Sequence, residues 1–441
     1  MQMSTVPAVR PERPAGRPLM RPGPATRFVA GRAISDCGDW LTTVAVAVAL
    51  YTLTHSLTAP ALAILFRVAP RPVGTLAGGH LADRFGPVPT LAVLNVFRAC
   101  ITGALAVALR ADAIPLVLAL LAVTQAAGGA AQPAGQAAIP RLVPAARVAR
   151  LYAAVSTVDS AALVVGPGIA AGLLGLLGTG SAAWLVAADA LSFLALAALL
   201  AGLPRLGRAA AAEEEEGGAG PWAGIGLVLQ RPFLRQLALA QLGIFATITC
   251  LQAVLPAAAQ QRFGSAASAG WVYAAIGAGN VVGALLLLVT RRRGLGARSM
   301  ALLTLGELLP LGAFALVGSA WADIGLAWLS GLASAPYEIL AMTEVARIVS
   351  SHRLGHASGA IWLFGYAGML AGGLLAVAAA PRLGWMPTLL LAWAGGSAVL
   401  VAGWLRPRRS TLAVLIGRTQ RRSRRPESEG VRASNAARQG S

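Results

Sequence analysis

Gly79-His80-Leu81-Ala82-Asp83-Arg84-Phe85-Gly86 is a short polar interruption between two long apolar blocks, residues 59–79 and 88–109. A glycine at each end permits a tight turn and close approach of neighbouring backbone, and Gly86-Pro87 stops one element and starts the next. Asp83 and Arg84 belong in water or at an interface. The stretch therefore reads as the end of one membrane crossing and the start of another. A second Gly- and Arg-rich stretch, RRRGLGAR at 291–298, falls after the second apolar block of the other half of the chain. Pro133 and Pro336 likewise sit in the middle or late part of the fourth block of each half. Recurring breakers at matching places are the mark of a duplicated unit.

Outward from that stretch, the same pattern fills the 441 residues. Only 12% are charged, 56% are hydrophobic, and mean hydropathy is +0.68, whereas soluble chains carry roughly 25% charged residues. The apolar material lies in blocks close to the ~20 residues that cross ~30 Å of hydrocarbon as a helix. Lipid offers no partner to a free backbone amide, so the blocks must be helices. Twelve spans are expected, at 27–53, 59–79, 88–109, 114–138, 151–177, 182–203, 233–257, 266–289, 297–317, 321–345, 356–379 and 386–405. They group into bundles at 27–203 and 233–405, joined by a linker at 204–232 with the acidic run Glu213–Glu216 and a short interfacial helix. Arg-rich, disordered tails at 1–26 and 406–441 complete the expected organisation. With 51 glycines, close packing through small residues is the expected means of helix association.

The formal charge of +19 does not point to nucleic acid, because its placement is topological. All 36 basic residues are arginine. Thirty of them fall on one side of the expected spans, three (Arg110, Arg262 and Arg382) on the other, and Arg67, Arg71 and Arg98 lie within spans. The positive-inside rule then puts both termini in the cytoplasm, and lysine-free basic composition suggests a bacterial cell membrane. Cys37, Cys100 and Cys250 all fall within apolar spans and read as small packing residues, not a disulfide framework. No nucleophile–base set, phosphate-cradling loop or metal cluster is present in the sequence. It therefore predicts neither catalytic residues nor a cofactor.

Residues 79–86 match the motif G-x-L-A-D-R-x-G that follows helix two in the major facilitator superfamily, and the chain resembles that superfamily of secondary transporters. Pro87 and Val88 stand where the superfamily usually has basic residues. The resemblance implies an all-α membrane protein of two pseudo-symmetric six-helix bundles. It also implies a gating role for Gly79, Asp83, Arg84 and Gly86. In the outward-facing state Asp83 would accept hydrogen bonds at the start of helix eleven, near His356. Residues 28–204 further resemble the drug- and siderophore-exporter branch that includes macrolide efflux proteins. That likeness is carried by Ser35-Asp36-Cys37-Gly38-Asp39-Trp40, Arg67 with Pro70, Arg98-Ala99, 133–137, 140–144 and Asp189-Ala190-Leu191-Ser192-Phe193. Gly166-Pro167 is similar to the exporter-associated element of helix five, with Ala170-Ala171 in place of its glycine pair. The second half resembles the branch only weakly. The Arg that proton-coupled drug exporters often carry early in helix four is absent from 114–138.

Charges inside spans need a physical reason, since one near the bilayer centre costs at least ~2.5–3.5 kcal/mol on insertion scales. At 1.5 Å per residue, Asp36, Asp39, Arg67, Arg71, Arg98 and Asp159 share a band roughly 12–18 Å below the Arg-rich helix ends. Their formal charges cancel, so mutual pairing is expected, either as a fixed lattice or as a proton-coupling set. Arg32, four residues before Asp36, is a further partner. In the second half Glu307 has no evident partner, and Glu338 lies beside Pro336 in a helix that lines the cavity by resemblance. Trp40, Trp362 and Phe364 offer aromatic surface to a substrate. The sequence thus predicts a monomeric, proton-coupled exporter of a small amphipathic organic molecule, partnered by lipid, substrate and protons and not by nucleic acid. The alternatives are an importer or facilitator of the same fold, and a non-transporting membrane sensor or assembly factor.

Overall fold

The computed structural model describes residues 23–201, 222–290, 297–349 and 351–405. The expectations for the two tails, for the linker up to residue 221 and for Arg291–Arg293 lie outside the described residues. Among those described, every regular element is helical.

The helices are α1 (Pro24–Thr54), α2 (Thr58–Val68), α3 (Arg71–Phe85), α4 (Pro87–Arg110), α5 (Ile114–Leu142), α6 (Ala145–Leu177) and α7 (Ala182–Ala201). They continue with α8 (Trp222–Gln230), α9 (Pro232–Phe263), α10 (Ala269–Thr290), α11 (Ala297–Val317), α12 (Ala320–Ile348), α13 (Ser351–Leu383) and α14 (Trp385–Leu405). Among the described residues, eleven helices are long and apolar enough to cross a membrane. The twelfth crossing is in two pieces, α2 and α3, and the cause is local. Pro70 and Pro72 lack the N–H groups that would bond the Phe66 and Val68 carbonyls, while helical bonding resumes with Gly74 N–H to Pro70 O at 3.1 Å.

The helices run past the expected span ends. The motif at 79–86 is not a loop: Gly79–Phe85 are the last turns of α3, and only Gly86, at φ 87°, leaves the helix as its C-cap. The expected loop at 140–150 shrinks to Val143-Pro144 between α5 and α6. A helix satisfies its own backbone, so nothing forces it to stop where the lipid does. A short helix, α8, stands where an interfacial helix is expected before the seventh span, and Pro232 follows it at the start of α9.

Glycines set the closest packing, and two of their seams correspond between the halves. Gly74 and Gly78 lay α3 on the carbonyls of Ala126 and Ala130 of α5, and Gly129 returns the contact to the Arg71 carbonyl. Gly279 and Gly283 lay α10 on the carbonyls of Trp328 and Leu332 of α12, and Gly331 returns it to Ile276. A Cβ at any of these positions would collide with backbone, so the spans two and four of one half, and eight and ten of the other, share one seam.

The apolar core has an unequal shape. At the Arg-poor end one continuous cluster takes residues from all twelve crossings, from Val44–Leu50 of α1 to Leu389 of α14. At the Arg-rich end there are two separate clusters. One joins Phe28, Val88, Ala138, Leu151 and Leu200 of the first half, and the other joins Leu234, Met300, Tyr337, Val345 and Ile361 of the second. Contacts between halves run through α1, α2 and α6 against α9, α10 and α13. The molecule is therefore sealed at the Arg-poor end and divided at the other. A buried rivet lies in the sealed end. There Arg262 of α9 donates to Asp323 of α12 at 2.6 and 2.7 Å and to the carbonyls of Phe314 and Ala315, between the rings of Phe314 and Trp385.

Candidate functional site: a charged cavity between the halves

Between the two halves lies a cavity of about 420 Å³, lined by α1, α2, α3, α4, α5 and α7 on one side and by α9 and α13 on the other. The helical repeat brings Arg32, Asp36, Asp39 and Trp40 of α1 to its wall. Arg32 Nε donates to Asp36 at 2.6 Å within α1 and reaches Asp159 of α6 at 3.4 Å.

Asp39 is held differently. Arg98 of α4 donates from one nitrogen to both of its oxygens, at 2.8 and 2.9 Å, and lies 3.8 Å from the centre of the Phe193 ring. Gly128 of α5 leaves room for this guanidinium, which is only 5% exposed. Behind Asp39, Gly38 makes space for a further acid, Asp189 of α7. That carboxylate is 1% exposed, and it accepts from the Thr42 hydroxyl at 2.6 Å and the Ser192 hydroxyl at 3.0 Å.

The pairing expected of the charge band is thus only partial. Arg67 and Arg71 also line the cavity, yet neither has an ion pair among the described residues. Arg67 lies over the Trp40 ring at 5.4 Å, and the buried Nε of Arg71 has no hydrogen-bond partner. The two arginines stand on either side of the break at Pro70. The backbone of Arg71 is fixed where Thr75 bonds its carbonyl and the Gly129 carbonyl together.

The facing wall is uncharged. Phe245, Ile248, Thr249 and Gln252 of α9 and Trp362, Tyr366 and Met369 of α13 form it. Trp40 packs on Tyr273 at 5.7 Å and Trp362 on Phe245 at 5.9 Å. Of the expected cavity aromatics, Trp40 and Trp362 therefore line the cavity, whereas Phe364 packs in the core of the second half.

The remaining candidates lie elsewhere. Glu307 of α11 is 2% exposed, and its Oε2 has no hydrogen-bond partner. Glu338 of α12 is exposed and is not part of the cavity wall. Gly166 packs against Trp40 and Cys37 of α1, and the Pro167 carbonyl against Gly270 of α10, so this element sits in the seal. Asp83 and Arg84, at the divided end, are exposed, and Asp83 has no ion pair or hydrogen bond among the described residues. Nothing stands within 4 Å of a Cβ built on Gly79.

The helices thus enclose a central cavity between two halves that meet at the Arg-poor end. A model of the major facilitator superfamily matches residues 28–372. The chain belongs to the major facilitator superfamily. It is a multi-pass membrane protein of the secondary-transporter kind, and transporters of this superfamily bind small molecules. None of the curated proteins matches it in sequence. Among solved structures it is similar to the nucleoside transporter NupG at a TM-score of 0.68 and 13% identity, covering 87% of this chain and 99% of that one. A D-xylose–proton symporter gives 0.65 and 16%, covering 86% and 96%. An inward-facing bacterial homologue of the iron transporter ferroportin gives 0.62 and 17%, covering 88% and 100%. At such identities the superfamily likeness is one of fold.

Sequence reasoning did not place Asp189 among the buried charges, and it set Arg262 outside the membrane without its partner Asp323. Thr42, one helical turn after Gly38, was the available signal for Asp189. Asp323 carries no such local mark.

Proposed function

We propose that this superfamily member is a proton-coupled exporter of a small amphipathic organic molecule, working by alternating access between its bundles at 27–203 and 233–405. The observation that carries this reading is the cavity between the halves, sealed at one end, with an ion pair in its wall. In this reading the Arg-rich end faces the cytoplasm of a bacterial cell, and the cavity loads from that side. The likeness of residues 28–204 to drug and siderophore exporters supports the outward direction.

Asp39 is the proposed proton acceptor. It faces the cavity, and its ion pair is with one guanidinium, that of Arg98. Protonation would free Arg98 and weaken one junction between α1 and α4, while Asp36 with Arg32 forms a second acid–guanidinium pair, within α1. Asp83 at the open end is proposed to close that end by capping α13 in the opposite state.

In proteoliposomes with an internal pH dye, solute extrusion should run with counter-movement of protons and stop with an uncoupler. Asp39→Asn should abolish proton-driven transport while leaving solute-for-solute counterflow. Uncoupler-insensitive transport would remove proton coupling, and loss of both modes in folded protein would make Asp39 a structural residue.

A further inference from the structure

We infer that the cavity selects an organic anion, gripped by Arg67 and Arg71 while its apolar body lies on the aromatic wall of the second half. This assignment rests on the transport reading above and adds a substrate class to it.

The charges of the cavity wall are settled in pairs, except for these two. Asp39 gives both oxygens to Arg98, and Asp36 is bound to Arg32, which also reaches Asp159. Asp189, the remaining acid nearby, is satisfied by two hydroxyls. The opposite wall, α9 and α13, contributes aromatic rings, the hydroxyls of Thr249 and Tyr366 and the Gln252 amide, but no charge. Two guanidiniums with unclaimed donors in the wall of a cavity are a strong site for a planar oxyanion, because each can offer parallel N–H groups. A cation would meet two adjacent guanidiniums there, and a neutral molecule would leave their donors without a charged acceptor.

Their placement adds a mechanical consequence. Arg67 is on α2, which packs across the seal on α9 and α13, while Arg71 is on α3, which packs within its own half on α4 and α5. One anion held by both would bridge the Pro70 break and so link occupancy to the angle between the seal and the body of the first half.

The test uses three naphthalene probes of one shape: 1-naphthalenesulfonate, its neutral sulfonamide, and a naphthylmethyl trimethylammonium. Binding is read as thermal stabilisation of the purified full chain, and flux by naphthalene fluorescence in proteoliposomes. The sulfonate should stabilise and be carried, and the ammonium should do neither. Arg67→Gln and Arg71→Gln should each weaken sulfonate binding at least about tenfold and narrow its margin over the sulfonamide, and Arg71→Lys should restore part of it. Arg71→Gln keeps the test open should Arg67→Gln unfold by losing its place over Trp40. Equal response to all three probes, or Gln variants that bind the sulfonate unchanged, overturns the anion assignment while transport stands. Failure of every probe to bind overturns it too, and absent flux of any solute would overturn the transport reading with it.

Discussion

Arg262 and Asp323 meet across 61 residues of sequence in the sealed end, with side chains only 6% and 0% exposed. Removing one partner from such a pair strands the other charge away from water. Arg262→Met should therefore cost about 3–5 kcal/mol of stability, read as a lowered thermal midpoint in detergent. The double variant Arg262→Met/Asp323→Leu should recover most of that loss, since the stranded carboxylate goes with the cation. A single variant as stable as the parent would show that the rivet contributes nothing. The pair also marks the limit of reading a sequence at this scale. Residue number gives depth along a helix at 1.5 Å per step, which located Asp36, Asp39 and Arg98 in one band. It does not give the direction a side chain faces relative to a distant helix. Arg262 therefore read as an external charge, and Phe245 went unnoticed where Phe364 was proposed.

At the scale of elements, the glycine seam between α3 and α5 is the most exacting contact, because backbone cannot move aside as a side chain can. Gly74→Val would drive a branched side chain into the Ala126 carbonyl. It should cost at least about 1–3 kcal/mol and lower the yield of monodisperse protein. Gly172→Val is the control: nothing lies within 4 Å of a Cβ there, and its stability should be unchanged. Equal effects at the two sites would remove the seam from the account. The i, i+4 spacing of Gly74 and Gly78 is visible in sequence, and so is Gly86 as the stop of α3. Which helix the glycines face is not, because any apolar neighbour of the right length would serve as well.

At the scale of the whole molecule, the seal brings α6 and α10 together so closely that a Cβ at Gly168 would lie 3.8 Å from that of Ala274. That is the separation a disulfide needs. In a background without Cys37, Cys100 and Cys250, which are free, Gly168→Cys/Ala274→Cys should cross-link on oxidation and stop transport, and a reductant should restore it. Full transport by the cross-linked protein would mean that the halves need not part there. Twelve crossings in two halves were legible from length, hydropathy and the matching breakers. Which end is closed was not, because the clusters that show it join residues far apart in sequence.

The interrupted crossing has one more implication, for water. Pro70 and Pro72 leave the carbonyls of Phe66 and Val68 without α-helical donors at mid-membrane depth, and Val68 borders the cavity. Such oxygens are satisfied by solvent where solvent can reach them. The joint between α2 and α3 is thus a point where the backbone itself calls for water, beside a cavity that already carries charge. In the proposed cycle, closing the Arg-rich end would require water at the joint to leave or be trapped. Hydrogen exchange at the amides flanking Pro70 would then follow the state of the molecule more closely than exchange anywhere else along the crossing.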